Sequence, residues 1–167
     1  MLVKKPGMIR KMENNDFDRV EQIWYQESVR VHNWMEGPDK FWDRNRQGLR
    51  DIIKKSDVKL VYDQDDIVRG FVLFGYINPN YIAEIFVDHQ QRTYPDGKSR
   101  EIGKALIDYL KASNPCLTVS VYMLNHKAIK FYIKNDFVIT TLYAEQGTGF
   151  TKLFMQWERI VPQKAIV

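Results

Sequence analysis

Apolar positions along this chain change their period several times, and each change marks an element. Phe17, Val20, Ile23, Trp24 and Val31 keep helical spacing behind Asn15, a residue suited to an N-cap, and Gly37-Pro38 ends the run. A second helix is predicted from Asp39 to Lys55, presenting Phe41, Trp42, Leu49, Ile52 and Ile53. Elsewhere the period shortens to two. Met8 to Met12, Val58 to Tyr62, Ile67 to Ile77 and Tyr81 to Val87 read as strands; Asp63-Gln64-Asp65-Asp66 is hairpin-like, and Asn78-Pro79-Asn80 turns the chain. Ile102, Ala105, Leu106, Tyr109 and Leu110 return to helical spacing. Cys116 to Tyr122, a short helix around Ala128, Phe137 to Tyr143 and Phe150 to Trp157 complete the alternation. Helices punctuating such strands predict an α/β fold, with a mixed, mostly antiparallel central sheet covered by helices on both faces.

At 167 residues and 44% hydrophobic, the chain suffices for one well-buried domain and is short for two. A single domain over 1–167, with its core over about 8–159, is therefore expected. The lone Cys116 excludes an intramolecular disulfide, Met1 to Gly7 is too short and polar for a signal peptide, and no apolar run approaches a membrane span. A cytoplasmic protein without membrane association is the expectation. The net charge of +4 would suit nucleic acid, but basic residues are scattered among acidic ones without a basic, aromatic-bearing stripe. No nucleic-acid partner is expected, and the excess charge fits a polyanionic ligand better. His32, His89 and His126 lack metal-ligand spacing, so no metal is predicted.

The densest chemistry lies behind the Ile82 to Val87 strand. Lys98, Arg100 and Lys104 crowd a helix N-terminus, where each cation opposes the macrodipole at a cost of roughly 0.3–1 kcal/mol, an arrangement that suits a bound anion. Gly103 in the first turn gives up about 1 kcal/mol relative to alanine, which points to close approach of something to the backbone. Glu84 is a second oddity. It is a carboxylate in an otherwise apolar row of a central strand, sharing a face with Ile82 and Phe86 by simple alternation. Burial there raises its pKa toward a base's useful range; pairing with a basic neighbour such as Arg69 is the structural alternative.

Arg100-Glu101-Ile102-Gly103-Lys104-Ala105 fits the R/Q-x-x-G-x-G/A element of the GCN5-related N-acetyltransferases. Asn125-His126-Lys127-Ala128-Ile129-Lys130-Phe131-Tyr132, followed by Phe137, resembles that family's N-x-x-A-x-x-F-Y-x(4)-G-F signature, with Asn135-Asp136 where glycine is usual. Both elements sit on strand-to-helix junctions in the family's order, and the likeness spans roughly Ile9 to Trp157. The chain looks closest to the small, single-domain bacterial members.

This resemblance implies central strands that splay to admit a pantetheine arm, and acetyl-CoA as donor to a primary amine on a protein, a peptide or a small molecule. A protein N-terminus or a lysine is favoured, in a monomer or homodimer. It places the pyrophosphate over Arg100, Glu101, Ile102, Gly103, Lys104 and Ala105, the acetyl carbonyl against backbone N–H groups of Phe86, Val87 and Asp88, and the pantetheine near Asn125. Asn125 equally suits a plain N-cap. Tyr132 would protonate the departing thiolate and Glu84 would take the amine's proton. The connection between the first two helices and the Glu145 to Gly149 hairpin would flank the acceptor channel; Trp34 with the acidic Glu36 and Asp39 suits attraction of a cationic amine, and equally suits an ordinary loop. Two departures matter: Glu101 stands where the family usually has glycine, and Gln90 to Gly97 lengthens the strand-to-helix loop into a flap or a surface insertion. They leave room for a non-catalytic acyl-CoA sensor as the alternative.

Overall fold

A computed structural model describes residues 7–93 and 101–160. Lys98 and Arg100, with the Tyr94 to Gly97 part of the long loop, lie outside the described residues. The seven strands among the described residues are β1 (Met8–Lys11), β2 (Val58–Gln64), β3 (Ile67–Phe74), β4 (Tyr81–Val87), β5 (Cys116–Tyr122), β6 (Val138–Ala144) and β7 (Thr151–Glu158). They form one sheet in the order β1-β2-β3-β4-β5-β7-β6. Every neighbouring pair is antiparallel except β4 and β5, which are parallel and paired only at Tyr81–Thr118 and Ile82–Val119. Past Ile82 the two strands part, while on its other edge β5 stays paired with β7 along its whole length. The predicted splay is therefore real, and it opens a cleft at the C-terminal ends of two central strands.

Among the described residues, five α-helices cover the sheet: α1 (Phe17–Val31), α2 (Pro38–Arg44), α3 (Arg46–Lys55), α4 (Ile102–Ser113) and α5 (His126–Lys134). On one face Val20, Ile23 and Trp24 of α1 and Leu49 of α3 pack on Val61, Val68, Phe71 and Leu73. On the other, Ile102, Leu106, Ile107 and Leu110 of α4 and Tyr132 of α5 pack on Leu60, Val72, Ile82, Leu117, Val119 and Met155. Tyr109, assigned to the apolar stripe of α4, is instead 48% exposed, and Ile107 takes the buried place.

Three local departures from the expected elements have physical causes. The helix predicted over Asp39 to Lys55 breaks into α2 and α3 at Asn45, whose side-chain amide donates to the Phe41 carbonyl at 2.8 Å and competes with helix continuation. The first helix starts from Asp16 rather than Asn15, after a 3₁₀ turn over Asn14–Asp16. Asp16 accepts the Glu13 N–H at 2.8 Å and the Arg10 guanidinium at 2.7 and 2.9 Å. In β4 the register skips Ala83, with Glu84 opposite Leu73 and Ile82 opposite Phe74. This bulge resets the alternation. Ile82, Ile85 and Val87 pack toward α4 and α5, whereas Ala83 and Phe86 pack toward α1, so Glu84 does not share a face with Ile82 as simple alternation had it.

Candidate active site

Two cavities meet in the cleft between β4 and β5. One, of about 330 Å³, is lined by Ile85 to Val87, by Glu101 to Lys104 at the start of α4, and by α5. Arg30, Arg92, Lys104, Lys127 and Lys134 give it an excess of positive charge over Glu101. The other, of about 500 Å³, is walled by Phe41, Trp42, Tyr81, Tyr122 and Tyr132, with Glu84, Glu145, His32 and Lys152. Ile85, Phe86, Asn125, Ala128 and Tyr132 border both. A basic chamber and an aromatic, carboxylate-bearing chamber thus share one wall.

At the basic chamber α4 presents an unspent helix N-terminus. Its first helical bond runs from the Ala105 N–H to the Glu101 carbonyl at 2.9 Å, so the Ile102, Gly103 and Lys104 N–H groups have no partner within the helix. Ala105 itself is thereby committed to the helix rather than to a ligand, a correction to its place among the expected binding residues. Glu101 adopts a left-handed backbone, φ 50° and ψ 29°, the conformation glycine reaches without strain. That is why glycine is usual here in the family, and glutamate occupies the same backbone geometry. Gly103 has a neighbour inside the protein: a Cβ there would lie 3.1 Å from the Phe131 ring.

The backbone of β4 supplies a different set of donors from the one expected. The Asp88 N–H donates to the Arg69 carbonyl at 3.0 Å, and its carboxylate is buried against the Arg19 guanidinium and accepts the Gln90 N–H. An antiparallel ladder commits every second residue to the same edge, so Phe86, opposite Phe71, is also spent on β3. Asp88 and the Phe86 N–H are therefore removed from the candidates, while Val87 and the unanticipated Ile85 direct their N–H groups toward the edge from which β5 has departed. The missing signal was hydrogen-bond parity, which the alternation of side chains does not reveal across a bulge.

On α5, Asn125 is an N-cap, its Oδ1 accepting the Ala128 N–H at 3.1 Å. The cap leaves its Nδ2 unspent at the border of both cavities. Tyr132 is buried, packed edge-on against Phe131 and Phe137, and its hydroxyl has no hydrogen-bond partner among the described residues. Burial, reinforced by the nearby Tyr81 and Glu84, raises its pKa well above the usual phenol value and keeps the proton on oxygen.

Glu84 faces the second cavity. Burial pushes its pKa up to about 7, against the weaker opposing influence of the Trp24 indole and the Lys152 charge. The Trp24 N–H lies near the carboxylate but falls short of a formed hydrogen bond. Arg69, the possible structural partner, is directed instead to Gln91, the Gln64 carbonyl and Asp65. His32 donates from Nδ1 to the Ser28 carbonyl at 2.8 Å and stacks on Trp42 at 4.8 Å; burial lowers its pKa to about 4. Glu145 accepts the Tyr122 hydroxyl at 2.5 Å, the Thr148 hydroxyl at 2.6 Å and the Lys152 ammonium, which fixes the β6–β7 hairpin at the cavity rim.

Of the two acceptor-side residues expected from sequence, neither lines this cavity. Trp34 stands behind it, edge-on to His32, Tyr122 and Phe150, and Glu36 is exposed. Glu84 and Glu145 are the carboxylates that do. Glu27, Asp88 and His89 bring possible metal-ligating atoms within 4.8 Å of one another, but the Glu27 oxygens already accept Arg30, Arg92 and His89, and Asp88 holds Arg19. No helix among the described residues is long and apolar enough to cross a membrane.

No family model matches the sequence. Among curated proteins, the chain is 25% identical over 150 residues to the peptidyl-lysine N-acetyltransferase YiaC of Escherichia coli, a match covering 90% of this chain and 96% of that protein. Among solved structures, the apo form of YjaB from Escherichia coli superposes with a TM-score of 0.66 at 22% identity, over 90% of this chain and 96% of that one. The PaiA N-acetyltransferase of Thermoplasma acidophilum, solved in complex with coenzyme A, gives a TM-score of 0.69 at 16% identity, over 93% and 100%. A sheet parted between β4 and β5, the two sequence elements on the junctions that line the parting, and likeness over nearly the whole length to such relatives agree: the chain has the fold of the GCN5-related N-acetyltransferases and is similar to small enzymes of that kind.

Proposed function

We propose that this chain moves an acetyl group from acetyl-CoA directly to a primary amine, in first place the side chain of a lysine in a protein or peptide. The carrying observation is the junction at which Tyr132 borders both a cation-lined cavity and an aromatic cavity holding Glu84. The basic chamber fits the donor: unspent N–H groups at Ile102, Gly103 and Lys104 suit a diphosphate, and the parted strands offer a slot for a thin pantetheine arm. The aromatic chamber fits an alkylammonium, whose charge is attracted to ring faces and to a carboxylate. Lysine is favoured over other amines because the curated relatives YiaC and YjaB are named as peptidyl-lysine enzymes. A single domain over about 8–159 carries both chambers.

Acetyl-CoA supplies the acetyl group as an activated thioester. Glu84 takes a proton from the bound ammonium; with its pKa near 7, the gap to a lysine amine narrows from about 6 units to about 3. The amine nitrogen then bonds to the acetyl carbon, the Ile85 and Val87 N–H groups stabilise the negative charge that develops on the acetyl oxygen, and the carbon–sulfur bond breaks. Tyr132 gives its proton to the departing sulfur, and the second proton of the acylated nitrogen passes through the solvent-connected cavity back to the tyrosinate, so that one proton, held by Glu84, is released per turnover. The products are an acetamide and a free thiol.

The test is thiol release from acetyl-CoA with three acceptors: a lysine peptide blocked at its N-terminus, a lysine-free peptide with a free N-terminus, and small diamines. The lysine peptide is expected to turn over fastest, with the acetyl group located by mass spectrometry. Absence of thiol release with every amine would overturn the catalytic reading.

A further inference from the structure

The α1 side of the basic chamber carries a cluster that neither sequence element touches. Glu27 of α1 is 1% exposed, and one of its oxygens, Oε2, accepts Arg30 Nη2 at 2.6 Å, Arg30 Nε at 3.1 Å and Arg92 Nη2 at 3.2 Å. The other oxygen takes the His89 backbone N–H at 2.9 Å and its ring Nδ1 at 2.6 Å. Arg92 also donates to the Val87 carbonyl at 3.2 Å, which ties it to the end of β4. Two guanidiniums thus converge on one carboxylate oxygen and leave one positive charge unmatched.

Both arginines keep spare donors on side chains that line the cavity. A guanidinium has five N–H donors; Arg30 spends two and Arg92 spends two, on the bonds just named, and both side chains line the chamber that Ile102, Gly103 and Lys104 border from the α4 side. Burial lowers the Arg92 pKa, and Arg30 repels it further while Glu27 opposes both. Such a pair is stabilised by an anion between the guanidiniums, and a fork of this kind matches phosphate oxygens.

We propose that Arg30 and Arg92, braced by Glu27, form a second phosphate-gripping wall of the donor groove, opposite the α4 N-terminus, and hold the phosphoryl groups of coenzyme A. This rests on the acetyl-CoA reading above. Glu27 is a positioning residue in it: it aims both arginines without touching the ligand. A merely structural cluster would tie α1 to the segment after β4 and have no preference for phosphate.

The experiment is calorimetric titration of the full chain, as wild type, Arg30→Gln and Arg92→Gln, with acetyl-CoA, its 3′-dephospho form and S-acetylpantetheine. Each single replacement leaves Glu27 one guanidinium and both His89 donors. Each should weaken acetyl-CoA binding by about tenfold or more, the scale of a lost charged hydrogen bond, and leave S-acetylpantetheine binding unchanged. Equal weakening toward the 3′-dephospho form assigns the clamp to the diphosphate, and loss of the effect there assigns it to the 3′-phosphate; both support it. Unchanged acetyl-CoA affinity, or an equal loss with S-acetylpantetheine, overturns the clamp while leaving the donor reading intact. Failure of the wild type to bind acetyl-CoA overturns both. Should Arg30→Gln not fold, Arg92→Gln, at the more exposed of the two side chains, decides the matter alone.

Discussion

Gly103 of α4 and Phe131 of α5 are packed so closely that a Cβ on the glycine would meet the ring at 3.1 Å. The contact joins the helix that borders the basic chamber to the helix that carries Tyr132. Gly103→Ala gains helix propensity of up to about 1 kcal/mol and pushes the ring by a few tenths of an ångström. The expected result is a melting temperature close to wild type and a turnover lowered several-fold, because Phe131 contacts the Tyr132 ring at 5.2 Å. Thermal unfolding and steady-state kinetics read the two quantities separately, and turnover equal to wild type would show that Phe131 yields without disturbing its neighbour.

Tyr132→Phe isolates the hydroxyl. That group has no hydrogen-bond partner among the described residues, so its removal leaves no orphaned polar atom and should change stability by less than about 1 kcal/mol. Acetyl-CoA binding should persist. Turnover should fall by roughly 10²-fold, the scale of general-acid catalysis. Single-turnover measurement separates this from slow product release, and undiminished chemistry in that measurement would reduce Tyr132 to packing.

His32 offers a test of the cavity's interior. Its folded pKa, depressed to about 4 by burial, lies below the 6.5 of an ordinary solvated imidazole. A depressed histidine contributes stability that is present above the unfolded pKa and lost as pH falls through the folded one, here between about 6.5 and 4, up to about 3 kcal/mol. The imidazole should stay neutral by NMR from pH 8 to 5. Comparing urea midpoints with His32→Phe across the same range isolates its share of acid denaturation. A ring titrating near 6.5 would mean that the stack on Trp42 opens in solution.

What the sequence disclosed follows the two periodicities. The extent of strand β4 and the Ile102, Leu106 and Leu110 part of the buried face of α4 were readable because strand and helical periodicity decide them, and both acetyltransferase-like elements lie on the junctions they predict. Four features depend on partners distant in sequence and were not readable. The bulge at Ala83 is set by the β3 ladder. Spending of the Asp88 N–H depends on Arg69. Burial of Glu27 sits within an ordinary amphipathic helix and becomes visible only once Arg92 and His89 arrive from the far end of β4. The acceptor wall is not the first interhelical loop: Glu145 reaches the cavity because Tyr122 and Lys152 hold its hairpin there.

Glu84→Gln should separate catalysis from stability, with opposite signs. The carboxyl's folded pKa, raised to about 7, exceeds the 4.5 of an ordinary solvated glutamate because burial disfavours the ionised form. Below about pH 4.5 both folded and unfolded chains hold the proton and the group contributes no difference. As pH rises toward 7 the unfolded chain releases its proton first, and the folded state loses up to about 3 kcal/mol relative to it. Glutamine escapes that loss, so the variant should be more stable than wild type at pH 8 and equal to it near pH 4. Activity should move the other way: wild-type kcat/KM should rise through pH 7 as Glu84 ionises, and Glu84→Gln should lose that limb, most severely where the lysine amine is scarce as free base. The deficit should shrink as pH approaches the amine's own value near 10.4. Paired urea titrations and pH–rate profiles on the blocked lysine peptide read both effects. A variant no more stable than wild type at pH 8 would show that Glu84 is solvated in the folded chain, and a deficit independent of pH would remove it from the role of base.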